Sequence, residues 1–294
     1  MIRSGRPRHW GRWLYRVQWL LLAAIGLGVV AVRTGVLGLD SAFSLFGGLG
    51  LAMVAVALFS MLVFLWGLIR RHSEARTAAL WAMVLGVIPV ALPLFTVGQQ
   101  HLNAPALYDI TTDLSDPPQF DLLLSLRDSS DHSADYPGAA AAAVQKDATM
   151  YRDIQTLVLP VPADKVMTAA EAVARDLGWR VIAVRAGQGR LEAVARTPVL
   201  AITQDVVVRI RPENDTSGAK SEKSDAKGEK GTPDKPQPAE TAKGTEKGAG
   251  KGAGKGVGNT LVDMRSASRT GERDFGSNAD RIREFMRRLE ERVQ

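Results

Sequence analysis

Polar and apolar positions divide this chain into three regimes. The first third carries long uncharged runs: Val17 to Val32, which extends back to Trp13 across Arg16, then Ala42 to Ile69, then Ala78 to Val97. About 20 apolar residues at 1.5 Å each cross ~30 Å of hydrocarbon. The pattern therefore predicts three transmembrane helices, over about 13–32, 42–69 and 78–97, making residues 1–97 a membrane anchor. The second run is longer than a bilayer needs, which implies tilt or a loop at one end. Pro89 and Pro93 fall in the third, where membrane helices tolerate a kink. A cleaved secretory signal is the rival reading of the first run, but no small-x-small cleavage site follows it before Arg33.

Beyond Val97 the period changes. Residues 98–154 are rich in turn formers (Asn103-Ala104-Pro105, Asp116-Pro117-Pro118, Tyr136-Pro137-Gly138), with Ala139–Val144 as a short helix; this is a stalk or wrapping segment. From 155 to 294 the pattern reads strand (156–161), helix (164–177, closed by Gly178), strands at 179–186 and 190–197 joined by Gly187-Gln188-Gly189, a strand at 206–210, a strand at 260–268, and a helix from about Asn278 to Val293 with Ser277 or Asn278 as N-cap. That order predicts an α+β fold: a two-layer antiparallel-sheet domain with helices on one face. The third regime, 212–258, has Lys-Gly-Ala-Gly-like units, Pro233, Pro236 and Pro238, and almost no large apolar side chain. Such a segment cannot offset its ordering entropy by burial and is expected to be a disordered insertion between two neighbouring strands.

Composition changes the picture at two points. A net charge of +6 and a pI near 9.7 suggest a nucleic-acid partner. The charge is localised, however: Arg3, Arg6, Arg8, Arg12 and Arg16 precede the first run, and Arg70, Arg71 and Arg76 separate the second from the third. By the positive-inside rule this is a topology signal. It predicts a multi-pass protein of the inner (cytoplasmic) membrane, its N-terminus cytoplasmic and its C-terminal domain extracytoplasmic, with the lipid bilayer as partner and no nucleic acid. The insertion nearly balances lysines against acids, unlike a nucleic-acid tail. The absence of cysteine excludes disulfides, thiol nucleophiles and Cys-bearing metal sites; no phosphate loop, dinucleotide fingerprint or zinc-helix motif is present, so neither cofactor nor metal is expected.

The richest chemistry lies in 265–282, RSASRTGERDFGSNADRI. Strand parity puts Arg265 and Arg269 on one face and Ser266 and Ser268 on the other. Gly271 and Gly276 permit left-handed backbone around Asp274, and Arg281 sits one turn into the last helix. In one reading Asp274 ties Arg265, Arg269 or Arg281 into a network that docks the helix. In another, Arg265, Arg269, Asp274, Asn278 and Arg281 form an anion site at the helix N-terminus. No catalytic residue is assigned: Ser266 and Ser268 lie in no nucleophile elbow. Asp109, Asp113 and Asp116 lack the spacing of a calcium loop and read as turn caps, and Trp179 reads as core.

That stretch, with its pattern RSxSRxGxxDxGxNxxRI, resembles the C-terminal signature of the bacterial domain-of-unknown-function family 1499. Asp109-Ile110-Thr111-Thr112-Asp113 followed by Pro117-Pro118 is similar to that family's element after the membrane helices. Tyr151–Leu157 is similar to another, with Arg152 where the family usually has proline. The resemblance implies a fold and no activity. The expectation is a membrane-anchored extracytoplasmic module that binds a small anionic ligand or an envelope protein without catalysis. The alternatives are an enzyme acting on an envelope lipid or anionic metabolite, with Asp274 as acid or base, and a structural envelope assembly protein.

Overall fold

The computed structural model describes residues 10–69, 73–96, 104–213 and 258–294. Helices α1 (Trp10–Arg33) and α2 (Leu39–Ile69) are long and apolar enough to cross a membrane. Helix α3 (Ser73–Thr96) packs against both. Its described apolar stretch, Arg76–Pro89, is shorter, so among the described residues two helices rather than the expected three meet that criterion. The three are held at close range by small residues and one amide. A Cβ on Gly86 would lie 2.9 Å from the Met53 carbonyl oxygen, and the fully buried Gln18 donates through Nε2 to Met53 O (2.9 Å) and Ala82 O (3.1 Å), one acceptor on each neighbouring helix. Away from water such a bond helps fix which helix faces meet.

The C-terminal half folds around one antiparallel sheet. Its strands are β1 (Asp109–Thr111), β2 (Leu157–Leu159), β3 (Arg180–Arg185), β4 (Arg190–Arg196), β5 (Thr203–Pro212) and β6 (Thr260–Ser268). The order is β1-β6-β5-β4-β3, and β2 lies beyond β1 along the same edge of β6, so two short strands share one side of a long one. Helices α4 (Ala139–Asp147), α5 (Ala163–Asp176) and α6 (Ser277–Val293) complete the domain. The period of two sorts the side chains. Leu191, Ala193 and Ala195 of β4, Val206, Val208 and Ile210 of β5, and Val262 and Met264 of β6 meet Val166, Ala170 and Val173 of α5 and Ile282, Phe285 and Leu289 of α6 in the main core. Trp179 stacks on Phe285 in that core, ring centroids 5.3 Å apart. Gly189 closes the β3–β4 connection at φ 60°, where its missing side chain leaves room for the Ile210 carbonyl oxygen.

The opposite face of the sheet is covered by chain without regular structure. Residues 112–137, broken only by a 3-10 turn at Leu122–Leu126, cross it and bury Phe120 and Leu123 against Val194, Val207 and Ala267. This is the wrapping alternative of the turn-rich segment; its first strand, β1, was not legible as one. β5 and β6 are direct neighbours, and their pairing runs to Pro212 opposite Thr260, with Glu213 N donating to Asn259 O. The residues flanking the insertion are therefore a paired strand end. Most of the segment read as disordered, 214–257, lies outside the described residues. The adjoining ends of α1 and α2 meet the opposite end of the sheet, where β5 begins and β6 ends: Arg33 donates to Pro198 O (2.7 Å) and Val199 O (2.9 Å), and the Phe43 ring lies 6.1 Å from that of Phe275.

Candidate functional site

Strand parity holds for the signature: Arg265 and Arg269 project to the wrapped face, Ser266 and Ser268 to the helix face. The five candidate residues are thereby split, and they do not converge on one anion. Arg265 is fully buried. Its Nε lies 3.0 Å from Asp109 Oδ1 and its Nη2 2.6 Å from Asp109 Oδ2, a bidentate pair across β6 and β1. The remaining donors reach Pro118 O (3.3 Å) and Ala134 O (2.9 Å), and the guanidinium stacks over Phe120 at 4.5 Å. Burial still holds the Asp109 carboxyl above the usual carboxylate range. Tyr136, over which Arg265 also lies, has its hydroxyl pushed up to about 12, by burial first and then by the Asp109 charge.

Arg269 repeats the arrangement one strand over. It pairs with Asp205 of β5 through Nε (3.1 Å) and Nη2 (2.8 Å) and donates to Leu126 O. Asp205, fully buried, accepts in addition from Arg127 Nε at 2.7 Å, and Arg127 reaches His132 O. A third constellation lies further along the same face, where Asp263 accepts from Arg209, Thr112 and Thr156, and Asp113 and Asp116 accept from Arg209. Asp113 Oδ1 also takes the Ser115 hydroxyl and the Ser115 and Asp116 amides, the turn-capping role expected of it, and these bonds, the hydroxyl first, draw its carboxyl below the ordinary value despite partial burial. Glu192 accepts the Asp121 and Leu123 amides. Arg265 through Pro118 O and Ala134 O, Arg269 through Leu126 O, Asp205 through Arg127, Arg209 through Asp113 and Asp116, and Glu192 through the Asp121 and Leu123 amides each tie the wrapping segment to the sheet.

On the helix face, Asp274 corrects two expectations. It touches neither Arg265 nor Arg269, because those side chains leave β6 in the opposite direction. Its carboxylate accepts Gly276 N (3.0 Å) and Asn278 N (2.6 Å), so amides at the N-cap and in the first turn of α6 are satisfied from three residues ahead of the helix. The N-cap position itself is Gly276, at φ 80°, instead of Ser277 or Asn278. Those two side chains are engaged elsewhere. Ser277 Oγ accepts from Gln204, and Asn278 bridges Ser266, Ser268 and the Tyr108 carbonyl. Burial raises the Asp274 carboxyl, with the two amide bonds working against the rise.

Arg281 is the exception in the signature. It makes only long contacts, 3.4 Å to Ser266 Oγ and 3.4 Å to Asn278 Oδ1, and has no ion-pair partner among the described residues. Burial draws its guanidinium down to about 10, with Asp274 and Asp280 opposing the shift from a distance. The buried Tyr151 hydroxyl likewise finds no hydrogen-bond partner among the described residues, and its proton is held more tightly by burial and by the Asp274 charge. His132 places a ring nitrogen 3.0 Å from Gly271 O and stacks on Tyr108. Among the described residues no group of three or more metal-ligating side chains is assembled.

Sequence reasoning missed Asp205 as a partner of Arg269 and the pairing of Asp109 with Arg265. The available signal was parity: an acid at 205 shares the face of Val207 and Arg209, so a strand begun at 203 places a carboxylate beside the arginine face. The family model described as "Protein of unknown function (DUF1499)" matches residues 109–224 and 254–289, more than half of the chain, and so takes in all three constellations. No curated protein and no solved structure matches.

Proposed function

Because the chain belongs to the DUF1499 family of proteins of unknown function, we propose its role from its own residues: a membrane-anchored extracytoplasmic module that binds an anionic small molecule, or an acidic group of an envelope partner, at Arg281 and does not transform it. The observation that carries this reading is that Arg281 has no ion-pair partner among the described residues. A half-buried guanidinium without a counter-ion pays a desolvation cost that an incoming carboxylate or phosphate would relieve. Arg265 and Arg269, already saturated by Asp109 and Asp205, are withdrawn from the ligand set and become the fasteners of the wrapping segment. The non-catalytic half of the reading is supported by Asp274, whose two oxygens are both occupied by backbone amides, which leaves it poorly placed to exchange a proton with a substrate.

In the full chain purified in detergent, Arg281→Met is expected to raise basal stability by about 1 kcal/mol, since a half-buried charge without an ion-pair partner among the described residues gives way to an apolar side chain of similar volume. Inorganic phosphate, titrated at constant ionic strength, is expected to raise the wild-type Tm by roughly 3 °C at tenfold excess over its Kd. Arg281→Met should lose that response. A phosphate response that survives the substitution, or is missing from the wild type at all concentrations, sinks the reading.

The orientation belongs to the same proposal. With α3 as a third span, five N-terminal arginines and the basic 70–76 loop stay in the cytoplasm, while the α1–α2 loop and the domain share the outer side. Their contact through Arg33 supports this arrangement. A reporter enzyme active only outside the cytoplasm should be bright when fused after Gln294 and silent when fused after Ile69. The opposite pair of results would reverse the topology.

A further inference from the structure

The β4–β5 turn is built from the wrong residues for water. Between Arg196 and Thr203 the chain reads Thr-Pro-Val-Leu-Ala-Ile. Surface turns draw on Gly, Asn, Asp and Ser because these tolerate left-handed backbone and hydrogen-bond to it. Here the left-handed position, φ 55°, is filled by Ala201, and the turn is closed by Thr197 N to Ile202 O (3.1 Å), Ala201 N to Thr197 O (3.0 Å) and Ile202 N to Thr197 Oγ1 (3.0 Å). Val199 stands at the tip, 63 % exposed.

What lies beside this tip is the end of a helix apolar enough to cross a membrane. Arg33 is the last residue of α1, and it holds the carbonyls of Pro198 and Val199. An arginine ending a span lies at headgroup level, so the carbonyls it holds lie there too. The adjoining loop is equally apolar, with Val36 82 % exposed. The same end of the sheet carries Gly271, packed close to Leu39, and Phe275 against Phe43. The tip thus continues the lipid-facing surface of α1 instead of standing alone.

We propose that Pro198–Leu200, with Val36, enters the headgroup–acyl boundary of the leaflet on the domain's side. The domain is then seated on lipid as well as tethered by its helices. The occupant is the bilayer, because the tip is held against the end of α1 and is continuous with the surface that α1 presents to lipid. An apolar anchor of this kind sits about 5–10 Å into the boundary. The inference rests on the reading of α1 and α2 as spans, and its test separates the two.

The chain contains no cysteine, so single-cysteine variants carry a spin label without background. Leu20→Cys lies on the exposed side of α1, and Val158→Cys on β2, which pairs with the far end of β6, about 25 Å from Ser268 along the strand. In the full chain reconstituted into phosphatidylcholine–phosphatidylglycerol vesicles, accessibility to dissolved oxygen is compared with accessibility to a water-soluble nickel chelate. The expected result is strong oxygen preference at Leu20→Cys, a weaker oxygen preference at Val199→Cys and nickel preference at Val158→Cys. Nickel preference at Val199→Cys with oxygen preference kept at Leu20→Cys overturns the tip and leaves the spans. A label at 199 shielded from both reagents also overturns it, in favour of a protein contact such as a second copy. Nickel preference at Leu20→Cys removes the spanning reading itself.

Discussion

Replacing Arg265 by methionine is expected to destabilise the domain by about 3–5 kcal/mol at neutral pH, enough to leave it largely unfolded. The substitution keeps much of the volume beneath Phe120 and removes the charge, which strands the Asp109 carboxylate in an interior without its bidentate partner. It also releases the carbonyls of Pro118 and Ala134. The loss should depend on pH in a definite direction. With Arg265 gone, the folded-state pKa of Asp109, already above its usual value through burial, rises further. A group whose folded pKa is raised contributes stability that is complete below the unfolded pKa, near 4, and is lost as pH rises through the folded value. The variant should therefore approach the wild type at about pH 4 and fall away towards pH 7. Arg265→Met combined with Asp109→Leu should recover much of the deficit, since removing both charges leaves neither stranded. Urea melts at several pH values read this out; a single variant as stable as the wild type at pH 7 would show that the pair is not a buried fastener.

The second large effect is expected at Asp205. One carboxylate serves two guanidiniums there, Arg269 from β6 and Arg127 from the wrapping segment. Asp205→Asn keeps the shape and removes the charge that both depend on, for a cost of about 3–5 kcal/mol. Its signature should differ from that of Arg265→Met. Arg127 lies just beyond the 3-10 turn, so the first element to open is the segment that covers Phe120 and Leu123. Limited proteolysis should cut between 112 and 137 before the sheet melts, with the cut and the loss of Tm both visible in the purified chain. Simultaneous loss of the whole domain, with no early cut, would mean that wrap and sheet unfold as one unit.

Much of the framework was legible because its signals are local. The helix over 163–176, the hairpin at 180–196 and the last helix were each written in periodicity, and the 212–258 segment was recognisable as an interruption between two neighbouring strands. What was not legible depended on pairs distant in sequence. β1 has three residues and acquires strand character only by lying beside β6, so Asp109 could be quoted as part of a motif and still not be matched with Arg265. Asp205 was left outside its strand because a charged residue reads as a boundary when its partners come from positions 127 and 269. The anion-site reading joined five residues by closeness in sequence. The alternation of β6 divides them, leaving Arg281 on the helix face without a counter-ion among the described residues and the other two arginines spent.

Gln18 gives the anchor a mechanical character. Its amide grips α2 and α3 together, and Arg33, fifteen residues later on the same helix, grips the domain. Helix α1 is thus a strut of about 22 Å clamped at two points. It cannot rotate about its axis or slide by one residue without releasing a clamp, so the angle of the domain to α2 and α3 is set by the rotational register of one helix. A ligand or partner that shifted that register would turn the whole domain.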